Sequence, residues 1–392
     1  MLGQGLLLRT YEIPSSIWET IGYRVRYGFY KDVEGFMLKL NYKNFDIKLL
    51  RGNVLDVTLP PVLDDRRPDL VEAIEAKYRF KKQAFGVIAM RNTNSTTGNN
   101  FYTSFLFEGN ILKKVSVYAE LANRYNRDNL FSFNNDAGFG AYFSLSYSGN
   151  IFGMSAEYKH YNNFSIGTGI NDPPTLVKEH PYRLLNRSTH VPELTNESGY
   201  QIETYINVAQ NSTLTINTSL ARNKFSNQFD VKFNEYFMEY HNQNIFKNSD
   251  AKIFLDYARD PFVNENSRWA AGGNLDIPHS KLNSLIELEY QWINREIGEG
   301  YQVNNGYFGY TLSFKYKYKL SLNVEVSDDP FLLDENETYQ AFPSAVFTFR
   351  PGQNHMVSLF GGRRRGGPAC NAGVCYNVLD FEGIELRVLA NF

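Results

Sequence analysis

Along most of the chain, odd and even positions differ in polarity. Tyr23, Val25, Tyr27 and Phe29 alternate with Arg24, Arg26 and Gly28, and Phe36, Leu38, Leu40 and Tyr42 alternate with Met37, Lys39, Asn41 and Lys43. After a turn at Asn44, Phe45, Ile47 and Leu49 oppose Asp46, Lys48 and Leu50. Phe143, Leu145 and Tyr147 alternate with serines before Ser148-Gly149-Asn150, and Phe152, Met154, Ala156 and Tyr158 alternate with Gly153, Ser155, Glu157 and Lys159 after it. Ile286 to Trp292 and Phe308 to Tyr316 repeat the pattern. A period of two is the signature of a strand with two unlike faces. The sequence therefore predicts an all-β chain of antiparallel hairpins.

The connections alternate in length. Short ones are predicted at Asn44, Phe80 to Gln83, Glu108 to Asn110, Ser148 to Asn150, near Asn211, near Asn248, at Pro278 to Leu282, near Lys317 and at Pro351 to Asn354. Between them lie polar stretches: Gly52 to Asp69, Asn92 to Asn100, Asn123 to Asp136, Asn162 to Ser198, Asn223 to Asp230, Arg259 to Ser267, Arg295 to Asn305, Ser327 to Glu337 and Gly361 to Tyr376. Short turns on one side and long loops on the other are the habit of transmembrane β-barrels.

Composition agrees. The 392 residues include 27 Tyr and 30 Phe, yet mean hydropathy is only -0.40, as expected when half of each strand meets lipid. No apolar run approaches the roughly 18 residues of a membrane helix. No linker divides the chain, so residues 1–392 read as a single domain. A soluble propeller or solenoid would repeat at a fixed period, and none is visible. A net charge of -2 gives no basic field for nucleic acid.

The last stretch fixes the orientation. Ile384, Leu386, Val388, Ala390 and Phe392 share one parity and Glu385, Arg387 and Asn391 the other. This resembles the terminal strand of bacterial outer-membrane barrels, in which alternating apolar residues face lipid and the final aromatic is read by the assembly machinery. Ile384, Leu386, Val388 and Phe392 are the expected assembly signal. The fold expected is a large antiparallel transmembrane β-barrel of about 20 strands, with short periplasmic turns and long extracellular loops. Counting back gives about 21 candidate strands. An odd count predicts that the partner closing the barrel against the last strand is absent or irregular at the N-terminus. Met1 to Tyr11 also carries no secretory signal.

Candidate chemistry is sparse. Asn162 to Ser198, dense in Pro and aromatics, is expected to be an ordered plug or lid. Its His180, His190 and Glu193 lack tight metal-ligand spacing, so no metal or other cofactor is expected. Ser188 and His190 lack a nucleophile context, and no enzyme activity is expected. Arg9, Arg24, Arg26, Lys39, Lys48 and Arg387 are a candidate basic patch in the lumen, either attracting anions or neutralised by Asp46, Glu385 or a plug. Arg363, Arg364 and Arg365, in a Gly-rich string, are candidate surface-loop ligands for lipopolysaccharide phosphates or an acidic partner. Cys370 and Cys375 read as a local disulfide outside the cytoplasm.

Several of these strings also carry a family resemblance. Gly361 to Cys370, Val374-Cys375-Tyr376 and Phe381 to Arg387 resemble the close of a family of uncharacterised outer-membrane barrels of Bacteroidota. Gly3 to Leu6, Leu8 to Glu12, Tyr27 to Tyr30 and Asn186 to His190 resemble it too. The resemblance implies an outer-membrane location and an N-terminal part that this chain lacks, and no substrate or catalytic residue. Porin-like passage of small solutes is the first functional expectation. The alternative is a non-conducting structural or accessory subunit of a surface complex for secretion or barrel assembly. Expected partners are outer-membrane lipid and lipopolysaccharide, the barrel-assembly machinery and other outer-membrane proteins.

Overall fold

The structure, a computed structural model, describes residues 33–55, 66–94, 98–125, 138–164, 176–178, 180–190, 196–226, 229–246, 248–296, 298–315, 317–333, 337–352, 355–371, 374–378 and 380–390. The strands are β1 (Val33–Tyr42), β2 (Phe45–Leu55), β3 (Arg66–Phe80), β4 (Gln83–Asn94), β5 (Gly98–Leu112), β6 (Val115–Tyr125), β7 (Phe139–Ser148) and β8 (Phe152–Asn162). There follow β9 (Asn196–Ala209), β10 (Ser212–Ser226), β11 (Phe229–Asn242), β12 (Asp250–Asp260), β13 (Glu265–Pro278), β14 (Leu282–Arg295) and β15 (Tyr301–Phe314). The last are β16 (Tyr318–Ser327), β17 (Gln340–Phe349), β18 (His355–Arg364), β19 (Gly367–Asn371), β20 (Val374–Val378) and β21 (Phe381–Ala390). One short helix, α1 (Arg183–Arg187), lies between β8 and β9.

All but β19 and β20 join one antiparallel sheet of 19 strands. Each strand pairs with its sequence neighbour, and β18 pairs with β21 across the separate β19–β20 hairpin. Among the described residues β1 and β21 are the two edges, and no pairing joins them. The strand expected over Tyr23 to Phe29 lies outside the described residues.

The predicted parity is visible along the sheet except in β1, where Met37 and Lys39 are exposed as well as Phe36 and Leu38. Ile253, Leu255, Leu288, Phe308, Leu359 and Ile384 stand on one face and are exposed, whereas Phe254, Asp256, Glu289, Tyr307 and Phe360 stand on the other and are buried. The buried face is concave. The His190 ring reaches Asp260 on β12 at 2.9 Å and Glu197 on β9 at 3.7 Å. On a flat sheet those two strands lie roughly 14 Å apart, so the sheet must curl to bring both carboxylates to one ring.

Three expectations need correction. Glu108 to Asn110 is not a turn: β5 runs to Leu112, with a register irregularity after Asn110, and turns at Lys113-Lys114. The polar stretches 92–100, 223–230, 259–267 and 295–305 are largely strand, leaving only 227–228 between β10 and β11. A ladder bonds backbone to backbone, so a stretch polar on both faces can still be strand. Likewise 361–376 is mostly strand rather than loop. Gly362 supplies the reason for its own place: φ is 124°, and a Cβ there would sit 2.3 Å from the Pro343 carbonyl oxygen on β17. That glycine permits close pairing instead of marking a loop.

Candidate functional site

Leu176 to His190, part of the connection between β8 and β9, lies against the concave face and is largely buried. Its cations meet carboxylates of the wall. Lys178 pairs with Glu203 on β9, and His180 donates to Glu235 on β11 at 3.1 Å. The Tyr182 hydroxyl donates to Glu239 at 2.6 Å. Glu289 on β14 accepts both first-turn amides of α1, from Arg183 at 2.8 Å and Leu184 at 2.7 Å, which satisfies donors that a helix start leaves unpaired. Arg187 bonds Glu325 on β16 at 3.0 Å and the Gly366 carbonyl at 2.6 Å. Apolar packing adds to this: Tyr182 lies against Phe237 and Phe254, and His190 stacks on Phe233 with ring centroids 4.4 Å apart.

Arg268 on β13 organises the wall beneath. Fully buried, it donates to Glu235 at 2.8 Å and Asp256 at 3.3 Å, and lies 3.5 Å from Glu265. Its Nη1 donates to the Ser188 carbonyl at 2.5 Å, tying the segment to the network. Lys159 on β8, also fully buried, pairs with Glu197. Gly199 makes room for it, since a Cβ there would lie 3.1 Å from the lysine stem and 2.6 Å from the Leu220 carbonyl oxygen.

Burial opposes charge on His190, but its hydrogen bonds to Asp260 and Glu197, and their negative charges, outweigh that and raise its pKa. Burial pushes Arg187 down to about 10 against the pull of Glu325, with Arg183 and Arg365 adding repulsion.

The two loop histidines go to different carboxylates, so they do not converge on an ion, and Glu193 lies outside the described residues. His180, Glu235 and Asp256 do bring ligand atoms within 4.8 Å of one another. The Arg268 guanidinium already occupies both carboxylates, as a cation would. Ser188 and His190 are also separated in role: the Ser188 hydroxyl accepts from Gln291 at 3.2 Å, and His190 holds Asp260.

Arg9, Arg24 and Arg26 lie outside the described residues. Lys39 is opposite Lys48 in register, and Lys48 is 3.4 Å from Glu75 on β3. Arg387 bonds Glu385 at 2.8 Å on β21, whose described partner is β18. Arg363 and Arg364 end β18, near Glu382 and Glu385 at 3.3 Å and 3.5 Å. Arg365 turns inward to Asn305 at 2.9 Å and Glu325 at 3.3 Å, joining Arg187. So the arginine string belongs in part to the interior, not to an outer loop. The side chains of Cys370 and Cys375 lie outside the described residues, although their backbones are opposite one another in β19–β20. Ile384, Leu386 and Val388 are exposed on the convex face, and Phe392 lies outside the described residues.

Sequence reasoning did not single out Glu235, Asp256, Arg268, Glu289 or Glu325. Each reads as one more polar residue on an inward parity. The available signal was charge: a long connection rich in Lys, Arg and His facing strands whose inward positions are Glu and Asp.

Residues 1–271 match a family of unknown function, DUF6029. The chain belongs to that family. No curated protein matches this DUF6029 member in sequence. Among solved structures, it is similar to a bacterial polysaccharide outer membrane secretin at TM-score 0.35 and 11% identity, covering 72% of this chain and 90% of that one. It is similar to the copper transporter OprC at TM-score 0.43 and 9% identity, covering 88% and 66%. It is also similar to the FrpB iron transporter from Neisseria meningitidis at 0.42 and 10%, covering 86% and 68%. None is similar enough to transfer a ligand or a role.

Proposed function

We propose that this DUF6029 member is an outer-membrane β-barrel that provides a gated, porin-like path for small solutes, with 176–190 as its constriction. The observation that carries this reading is the contrast between an apolar exposed convex face and a charged concave face filled by the chain's own segment. An exposed apolar surface recurring from β1 to β21 exceeds what a soluble monomer tolerates. Aromatics support a membrane girdle at two levels: Tyr236, Tyr257, Trp269, Tyr290 and Trp292 towards the long-connection end, and Tyr42, Phe45, Tyr78, Phe80, Phe314 and Tyr318 towards the short-turn end. Trp292 is opposite Asn304, ten residues before Phe314 on β15. That is roughly 33 Å along the strand, or about 25 Å of height at a 40° tilt, the depth of an apolar barrel band. No helix among the described residues is long and apolar enough to cross a membrane, which bears only on helical spans.

In this reading the long connections face outward, and lipid, lipopolysaccharide and the assembly machinery are its partners. Cys370 and Cys375 are then extracellular, where a disulfide is stable. The density of bonds holding 176–190 favours one second reading, a non-conducting subunit of a surface complex. Planar-bilayer conductance of the full-length protein and of a variant lacking 176–190 decides between them. Current that rises on deletion supports the gated path, and silence from both, with the barrel assembled, supports the subunit.

A further inference from the structure

Between α1 and the wall, at the long-connection end of β13 to β15, lies a cavity of about 280 Å³. Arg187, Arg295 and Arg365 line it, together with the neutral donors Ser188, Thr189, Gln291 and Asn305. We infer that this cavity is a binding site for a small oxyanion, phosphate or carboxylate, free or carried on a solute the size of a hexose phosphate.

Charge is the first argument. Arg183, Arg187 and Arg365 all converge on the single carboxylate of Glu325, at 4.0, 3.0 and 3.3 Å. Arg187 and Arg365, which line the cavity, share that one carboxylate, so this pair carries more positive than negative charge. Arg295 has its own partner, Asp329, at 3.3 Å. Glu265 also lines the cavity, and its charge is drawn towards Arg268 at 3.5 Å.

Unsatisfied donors are the second argument. The Nε atoms of Arg187 and Arg295 are buried and have no hydrogen-bond partner among the described residues. A buried donor left empty is costly, and guanidinium matches an oxyanion in both geometry and charge. The cavity also unites two strings that are far apart in sequence, Asn186 to Thr189 and Arg365 to Gly367.

The site rests on the reading that the concave face is a lumen reached by solutes. Calorimetric titration of the full-length protein in detergent, with inorganic phosphate, a hexose phosphate and the neutral hexose, tests it. Both phosphates should bind saturably and the neutral hexose should not; binding of inorganic phosphate alone restricts the site to the free ion. Arg187→Gln and Arg365→Gln should each weaken binding about tenfold or more, whereas Arg222→Gln on the convex face should change nothing. Should Arg365→Gln fail to assemble, Arg365→Lys keeps the charge but loses the planar fork, and weaker binding is again expected. Absent phosphate binding, or binding untouched in these variants, overturns the proposal. Phosphate binding without bilayer conductance leaves the site standing and removes the passage reading. Conductance without phosphate binding does the reverse.

Discussion

The concave face is filled in two different ways. Along β2 to β8 its largest buried group is apolar and aromatic, with Leu50, Ile88, Met90, Tyr102, Leu106 and Tyr142 in one cluster with Phe164 and Leu176, beside a smaller set of ion pairs from Glu75 to Lys48 and Lys77. Along β9 to β16 it is lined with Glu203, Glu235, Glu239, Asp256, Asp260, Glu289 and Glu325, and the cations of 176–190 are seated there. Apolar filling is non-directional and tolerates exchange of one shape for another. Ion pairs and hydrogen bonds have fixed partners and angles, so they hold one segment in one register. The first arc closes space; the second specifies an occupant.

Breaking the second arc should have the larger consequences. Deleting 176–190 should raise bilayer conductance many-fold, while deleting 127–136, from the connection between β6 and β7, should not. Arg268→Ala leaves Glu235, Asp256 and Glu265 without their shared cation and should destabilise by about 3–5 kcal/mol, read as a lower denaturant midpoint for unfolding. Glu289→Gln keeps the shape but weakens the seat of α1. Hydrogen exchange at Leu184 and Leu185 should speed up, with β-sheet protection unchanged.

His190 gives a pH dependence of smaller size. Its folded pKa is raised, so the proton is held more tightly when the segment is seated. The resulting stabilisation is fully present below about pH 6.5, the unfolded value, and is lost as pH rises through the folded value. Exchange of 176–190 should therefore quicken from mildly acid to alkaline pH, and His190→Gln should flatten that profile. The smallest effect belongs to the first arc. Ile88→Val should cost only about 0.5–1.5 kcal/mol and leave conductance unchanged. A large conductance change from Ile88→Val would erase the distinction between the arcs.

Much of the fold could be read from the residues. The alternation at Phe36 to Tyr42 marked a strand, and that at Ile286 to Trp292 marked a strand and both its faces. The alternation of short and long connections marked two ends. The composition of 162–198 marked a connection dense in apolar and aromatic residues, and Leu176, Leu184 and Leu185 within it are buried. Harder to read were Asn223 to Asp230 and Arg363 to Arg365. Polarity on both faces looks like a loop when strand pairing is not visible, and a glycine at a tight crossing looks like a glycine in a turn. The network of Arg268 was hidden for a related reason. Its members come from β11, β12 and β13 and gain meaning only beside one another.

What the sequence alone determined is what depends on one strand or one hairpin: the period of two, the facing of Ile384, Leu386 and Val388, and the order of antiparallel neighbours. Those are short-range consequences of backbone geometry. Only the tertiary structure decided which charges meet. Curling the sheet brings β9 and β12 to one imidazole ring and folds 176–190 against carboxylates more than a hundred residues away, as with Glu289 and Leu184. Coulomb and hydrogen-bond energies fall steeply with distance, so no pattern along the chain could assign those partners before the curl set the separations.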